Sequence, residues 1–207
     1  TSIHDPCLFL REDCMMILYC DDLIIATKEE NKHVAQEVMD KLARDHYDFD
    51  REDLNTIHTY LGIDLEQIDA TTIKMSQANL AKRVIEALHL DSAAHKPTPA
   101  ASILGKCEDE PLFDNEAFNY RSVLGMIHYL TSNTRLDIAF AVSQAARFQN
   151  APRVSHAKAL KRIGRYLLKT ADQGIFIKKI PQGTPLTIDM AVDSDFAGLW
   201  NPNEADD

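Results

Sequence analysis

Short apolar runs broken by turn residues open the chain, and helical spacings take over further along. Residues 6–26 read as three short antiparallel strands. Met15-Met16-Ile17-Leu18 and Leu23-Ile24-Ile25-Ala26 are both of strand length, so a tight turn at Asp21-Asp22 is expected between the last two. An amphipathic helix is predicted over 29–46, where Val34, Val38 and Leu42, with Ala35, recur at helical spacing. Thr27 and Glu30 stand in front of it as a T-x-x-E capping box. Leu18, Ile24 and the apolar face of that helix are expected to share one core. Residues 59–67 and 71–76 read as a second hairpin with its tip at Asp69-Ala70, and Ile63, Leu65, Ile73 and Met75 alternate in register. A helix follows over 77–89. Pro97, Pro99, Gly105, Pro111 and several acids make 91–115 a loop or linker. Three helices are predicted near 116–132, 135–149 and 152–170, the last with Pro152 at its first turn. After Gly174 the pattern is strand-like again, in Ile175-Phe176-Ile177 and from Leu186 to Val192. The fold class is α+β.

Asp21 and Asp22 are the first candidate chemistry. Two carboxylates about 4 Å apart repel by roughly 4 kcal/mol at an effective dielectric near 20. A proton on one of them, or a cation between them, resolves the repulsion. Two divalent ions about 4 Å apart are the apparatus of phosphoryl transfer. Asp-Asp is also common at turns and helix starts, where it caps backbone N–H groups. Here the following helix has its own cap at Thr27, and the two acids stand ahead of it between strand-like runs.

Composition alters this picture little. The chain has 207 residues, 45% hydrophobic and 26% charged, which fits one globular domain or two small ones. No run approaches the roughly 18 apolar residues of a membrane span. No signal-like start is visible and the first residue is Thr, so a fragment of a longer intracellular protein is expected. Cys7, Cys14, Cys20 and Cys107 lack C-x-x-C spacing and read as reduced packing residues.

The net charge of −10 argues against a polyanionic partner, but its distribution argues the other way. No Asp or Glu occurs from Ile138 to Ala171, a stretch that holds Arg147, Arg153, Lys158, Lys161, Arg162, Arg165 and Lys169. On a helix, Lys158, Arg162, Arg165 and Lys169 fall in one stripe beside an apolar stripe of Leu160, Ile163 and Leu167. Such a stripe is either a solvated helix face or a phosphate-binding surface. Asp193, at the end of an apolar strand, is either a turn residue or a metal ligand.

Tyr19-Cys20-Asp21-Asp22 between two hydrophobic strands resembles the Tyr-x-Asp-Asp motif of reverse transcriptases, with Cys20 in place of the more usual Val or Met. An ordered set of further stretches resembles the copia-type long-terminal-repeat retrotransposon polyprotein. These are Asp5-Pro6-Cys7-Leu8-Phe9, Tyr60-Leu61-Gly62-Ile63-Asp64-Leu65 with Met75-Ser76-Gln77, and Tyr120-Arg121-Ser122-Val123-Leu124-Gly125 with Tyr129-Leu130. Thr134-Arg135-Leu136-Asp137-Ile138 follows, with Leu136 where the family usually has Pro, and then His156, Ala159, Lys161-Arg162 and Arg165-Tyr166-Leu167.

The resemblance implies the C-terminal part of a palm over 1–78, with a palm-like antiparallel sheet, packed helix, Tyr-x-Asp-Asp hairpin and primer grip. It implies a helical thumb and connection over 79–172 and the truncated start of a ribonuclease H-like domain over 173–207. Asp21 would be the principal ligand of Mg²⁺ or Mn²⁺ and Asp22 the supporting one. Tyr19 and Cys20 would line the floor near the primer end, and Tyr60, Leu61 and Gly62 would touch the primer. Lys158, Lys161, Arg162, Arg165 and Lys169 would cradle the nucleic acid. Asp193 would be the first carboxylate of an incomplete ribonuclease H site.

The implied reaction is RNA-directed DNA synthesis on an RNA or DNA primer–template from deoxynucleotides, within the rest of the polyprotein. It would take place in a cytoplasmic virus-like particle and in the nucleus, away from membranes. The family's further Asp lies on a strand upstream of this motif, so the chain as given is expected to be inactive. A non-catalytic nucleic-acid-binding or assembly remnant is the alternative. A D-D-x-x-D diphosphate-binding enzyme is disfavoured, because Leu23 to Ala26 supply no third Asp.

Overall fold

The computed structural model describes residues 1–44, 59–181, 183–185, 187, 189 and 190. The chain is mixed α+β, with two small antiparallel sheets and five α-helices among these residues. It forms two compact units, Thr1–Thr56 and Ile57–Asp207. Among the described residues no helix is long and apolar enough to cross a membrane.

In the first unit β1 (Leu8–Leu10), β2 (Cys14–Tyr19) and β3 (Asp22–Thr27) lie in that order, antiparallel. A 3₁₀ turn at Glu29–Asn31 leads into α1 (Lys32–Arg44), which packs against β3. Thr27 therefore ends a strand, opposite Cys14, rather than sitting next to the helix as a cap. The expected helix end at residues 45 and 46 lies outside the described residues.

The β2–β3 turn is Cys20-Asp21, one residue earlier than the sequence implied, because Asp22 already pairs with Tyr19. In a two-residue hairpin, directly opposed residues share a face. Ile17 opposes Ile24 and Leu18 opposes Leu23, so Leu18 and Ile24 project from opposite faces and do not share a core. Val34 is buried while Val38 and Leu42 are half-buried.

The second unit holds β4 (Thr59–Tyr60), β5 (Ile63–Asp69), β6 (Thr72–Ser76) and β7 (Gly174–Lys178), hydrogen-bonded in that order and antiparallel. The stretch 59–67, read as one strand, reverses at Leu61-Gly62 and makes an extra hairpin. Leu61 (φ +50°) and Gly62 (φ +72°) carry the two positive φ angles of a type I′ turn, a conformation costly for Leu and easy for Gly. The β5–β6 alternation holds: Leu65 faces Met75 and Gln67 faces Ile73. At that hairpin's end the Asp69 carboxylate accepts from Thr71 N and Oγ1, both at 2.7 Å, and these bonds lower its pKa.

Gly174 is where β7 meets β6. A Cβ there would lie 2.0 Å from the Met75 carbonyl oxygen, so no larger residue fits without moving the strand. Of the strand expected from Leu186 to Val192, only Thr187, Asp189 and Met190 are described, and none of the three is in a strand.

The helices α2 (Ala78–Ala87), α3 (Tyr120–Asn133), α4 (Ala139–Ala146) and α5 (Val154–Leu167) occupy the expected regions but are shorter, and Pro152 precedes the Arg153 cap of α5 rather than standing in its first turn. Each packs on two others: α3 on α2 and α4, and α5 on α2 and α4. Their apolar stripes, among them Val84, Leu88, Ile127, Leu130, Leu160, Ile163 and Leu167, merge into one core. Asn119 caps α3 by accepting from Ser122 N at 2.9 Å.

Polar side chains complete this core. Tyr120 Oη donates to the Ala145 carbonyl at 2.9 Å, and burial pushes its pKa up to about 12. Arg135 is 2% exposed. It donates to both Asp137 oxygens at 2.9 Å and to Thr170 O and Oγ1 at 2.6 and 2.9 Å, and lies 5.6 Å from the Tyr166 ring centre. Tyr166 Oη donates to the same carboxylate at 2.8 Å. Burial alone would raise the Asp137 pKa, but the Arg135 and Tyr166 hydrogen bonds and the guanidinium charge outweigh it, and the net shift is downward.

His156 is fully buried and stacked on Phe148. Its Nδ1 accepts from Arg153 N at 2.9 Å, so its other nitrogen carries the proton and donates to Gly105 O at 2.8 Å. That bond, and Glu110 accepting from Ser155 N at 2.7 Å, tie the 105–110 loop to the start of α5.

Candidate active-site hairpin and cationic helix

The Tyr19–Asp22 hairpin is built by its backbone. Cys20 has φ +52° and Asp21 has no positive φ, the signs of a type II′ turn, which matches the twist of a two-stranded ribbon. Asp21 sits at the tip and Asp22 opens β3 opposite Tyr19. Tyr19, Cys20, Asp21 and Asp22 are all exposed. Among the described residues no side chain or backbone group donates a hydrogen bond to either carboxylate. Exposure also lowers the repulsion inferred from sequence: in bulk water two charges about 4 Å apart cost only about 1 kcal/mol. A cation is therefore not required to hold the turn together.

The two carboxylates suit an ion that takes one or two carboxylate ligands and keeps several waters, as Mg²⁺ does. They do not by themselves form a converging two-metal set. Among the described residues no group of three or more His, Cys, Asp or Glu side chains is placed to hold a metal. Asp193 lies outside the described residues.

Tyr60, Leu61 and Gly62 form the β4–β5 hairpin in the second unit. Sequence reasoning missed what holds it. Tyr129 Oη, on α3, donates to the Leu61 carbonyl at 2.7 Å and anchors the left-handed turn. The signal was the Tyr129-Leu130 pair, whose Leu130 is core and whose Tyr129 faces outward.

The cations of α5 do not form one open face. Lys158 is exposed, and Lys169, exposed too, lies past the end of α5 in the turn that follows; Arg162 and Arg165 are half-buried beneath the 93–98 segment. Arg162 Nη2 donates to Thr98 Oγ1 at 2.8 Å and Arg165 Nε to the Ala94 carbonyl at 2.6 Å. Lys161 Nζ lies 5.6 Å from the Phe118 ring centre. The helical spacing holds for Lys158, Arg162 and Arg165 but not for Lys169, because α5 ends at Leu167; the loop that crosses it was not visible in the periodicity.

Residues 7–102 match the family described as "Reverse transcriptase (RNA-dependent DNA polymerase)". The chain is similar to the retrovirus-related Pol polyprotein from transposon RE1 of Arabidopsis thaliana, 30% identical over 203 residues, covering 95% of this chain and 13% of that polyprotein. It is 29% identical over 181 residues to the corresponding polyprotein from transposon TNT 1-94 of Nicotiana tabacum, covering 82% of this chain and 13% of the relative. An uncharacterized mitochondrial protein of Arabidopsis thaliana is 26% identical over 183 residues, and there the chain covers 72% of the relative. No solved structure matches.

Proposed function

Since the chain belongs to the reverse transcriptases of copia-type retrotransposon Pol polyproteins, we propose that its β2–β3 hairpin supplies metal-ligating carboxylates for template-directed DNA synthesis. The carrying observation is the hairpin itself: a two-residue turn presents Asp21 at its tip and Asp22 beside it, and no described residue donates to either carboxylate. Asp21 is the principal ligand of Mg²⁺ and Asp22 the supporting one. The bound ion supplies charge neutralisation at the reacting phosphate. Tyr19 and Cys20 line the approach to the primer end, and the Tyr60-Leu61-Gly62 turn holds the primer strand.

The first unit and the β4–β6 sheet serve as palm, and α2–α5 as thumb and connection. Lys158, Lys161 and Lys169, with Arg162 and Arg165, face nucleic-acid phosphate. The ribonuclease H-like stretch that includes Asp193 spans 173–207. The working setting is the polyprotein in an intracellular particle, with primer–template and deoxynucleotides as partners.

A second reading is a nucleic-acid-binding piece without catalysis. It is favoured by the lack of a third metal-ligating side chain near Asp21 and Asp22 among the described residues. The decisive experiment compares this chain with a longer one that joins it to the preceding part of its polyprotein. Mn²⁺ is expected to broaden the NMR signals of Asp21 and Asp22 in this chain, an effect lost in Asp21→Asn. Primer extension is expected only from the longer chain, and Asp21→Asn should abolish it. A longer chain that binds primer–template without extending it would sustain the second reading instead.

A further inference from the structure

A groove of about 550 Å³ runs between α5 and the chain from Leu90 to Leu104. Leu90, Ala141, Ala159 and Ile163 line it with apolar surface. Five cations also line it, Lys96, Lys158, Lys161, Arg162 and Arg165, and among the described residues no Asp or Glu does. Among the described residues none of the five forms an ion pair. Arg162 and Arg165 are instead held by uncharged oxygens, Thr98 Oγ1 and Ala94 O. Their positions are fixed and no carboxylate among the described residues pairs with them, so an arriving anion has less ordering left to do. In a chain of net charge −10 this is a local inversion of sign.

The volume lies within the range of ligand clefts, and the mixture of apolar floor and a few charged groups is what such clefts use. Among the described residues no Phe, Tyr, Trp or His lines the groove, so these offer none of the stacking platforms that hold single-stranded bases. A duplex presents phosphate and sugar, which leave an apolar floor unfilled. An extended peptide that alternates acidic and apolar residues uses both features, since successive side chains point to opposite sides. Along α5 the lining runs from Ser155 to Arg165, roughly 15 Å at 1.5 Å per residue. That length matches four or five extended residues at about 3.3 Å each.

We propose that this groove binds an acidic peptide segment with interspersed apolar side chains, belonging to a protein partner. The apolar side chains enter between Ala141, Ala159 and Ile163, and the carboxylates meet Lys96, Lys158 and the two arginines. The site goes beyond the phosphate contacts proposed above: it shares cations with them but adds a requirement for apolar contact.

The test is fluorescence anisotropy of the full chain with a labelled peptide of alternating glutamate and leucine. Controls are the glutamate–serine and lysine–leucine peptides of equal length and a labelled oligothymidylate. The glutamate–leucine peptide is expected to bind at least about tenfold more tightly than either peptide control, because each buried Leu is worth a tenfold factor or more. Ala159→Phe, which fills the groove, should weaken it by about tenfold or more, and Lys96→Glu should weaken it several-fold. Ala101→Trp, placed on the exposed loop side of the groove, repeats the filling test if Ala159→Phe fails to fold. Equal binding of the glutamate–serine peptide would reduce the site to surface charge and overturn the proposal. So would parent-like binding by the filled variants. Oligothymidylate binding that is lost in the filled variants would assign the groove to nucleic acid and overturn it as well.

Discussion

Strands β2 and β3 and helices α2 to α5 are all rich in apolar residues, but the two units bury them to different depths. In the first unit Val34 is the only fully buried apolar residue among those described, and Met15, Ile17 and Leu18 remain 39%, 36% and 38% exposed. In the second, the core runs without a break from Ala81 to Leu167 and takes in side chains from all four helices. A three-stranded sheet with one helix is a single thin layer pair, and it has too little surface to exclude water from its own middle. Four helices that each pack on two others enclose one. The acidic hairpin belongs to the thin unit, so the placing of Asp21 and Asp22 rests on turn geometry and strand register more than on packing. The cations of α5 belong to the dense unit and stand on a fixed frame.

The most severe way to separate the units is to cut into each core. Leu130→Ala, in the closed interior, should cost about 2–5 kcal/mol in urea unfolding. Leu42→Ala, on the half-buried face of α1, should cost nearer 1 kcal/mol, because only part of the side chain leaves water on folding. Equal costs at the two sites would erase the contrast.

Arg135→Ala is next in size. The guanidinium is almost wholly buried while Asp137 keeps partial contact with water, so a loss of about 3 kcal/mol is expected, at the low end for a broken buried pair. The pH dependence has a definite sign. The Asp137 carboxyl titrates lower in the folded chain than in the unfolded one, so the unfolded chain takes up its proton first as pH falls. The stabilisation is present above the unfolded value near 4 and disappears as pH drops through the folded value. Urea unfolding from pH 7 down to pH 2.5 should show this loss in the parent, and Asp137→Asn should lack that component.

The smallest effect is expected in the thin unit. Cys20→Gly removes a side chain from a left-handed turn position and should raise stability by up to about 1 kcal/mol, the released strain being partly offset by the greater freedom of glycine when unfolded. A thermal melt reads it. A loss on substitution would mean that the Cys20 side chain holds the hairpin by contacts outweighing its backbone cost.

Much of this architecture is written in periodicity. Val84 and Leu88, Ile127 and Leu130, and Leu160, Ile163 and Leu167 repeat as a helix face must, and Leu65 and Met75 alternate as a strand face must. Where turn residues carried no turn signal, the reading slipped. Leu61 is a poor choice for positive φ and gave no hint that 59–67 reverses; its support comes from Tyr129, far away in sequence. Asp-Asp looked like the turn, yet the chain turns at Cys20-Asp21 and leaves Asp22 paired. Arg135 stood in the sequence only as one letter of a family motif, because burial of a guanidinium depends on Thr170 and Tyr166 arriving from α5 and its C-terminal end. The candidate site followed the same pattern. Residue types and helical phase were visible, whereas the loop that fastens Arg162 and Arg165 could be known only from the folded chain.

The pairing of β7 with β6 has a consequence for the order of folding. It joins Gly174 to Ser76 across about a hundred residues of intervening chain, the helices included. Closing such a span costs entropy that local contacts do not incur, and the cost falls only when the helices have already drawn the ends together. Contact order thus favours the helices forming first and the fourth strand pairing with β6 afterwards. With no side chain at Gly174 to obstruct the approach, that strand can seat late on an edge that is already formed.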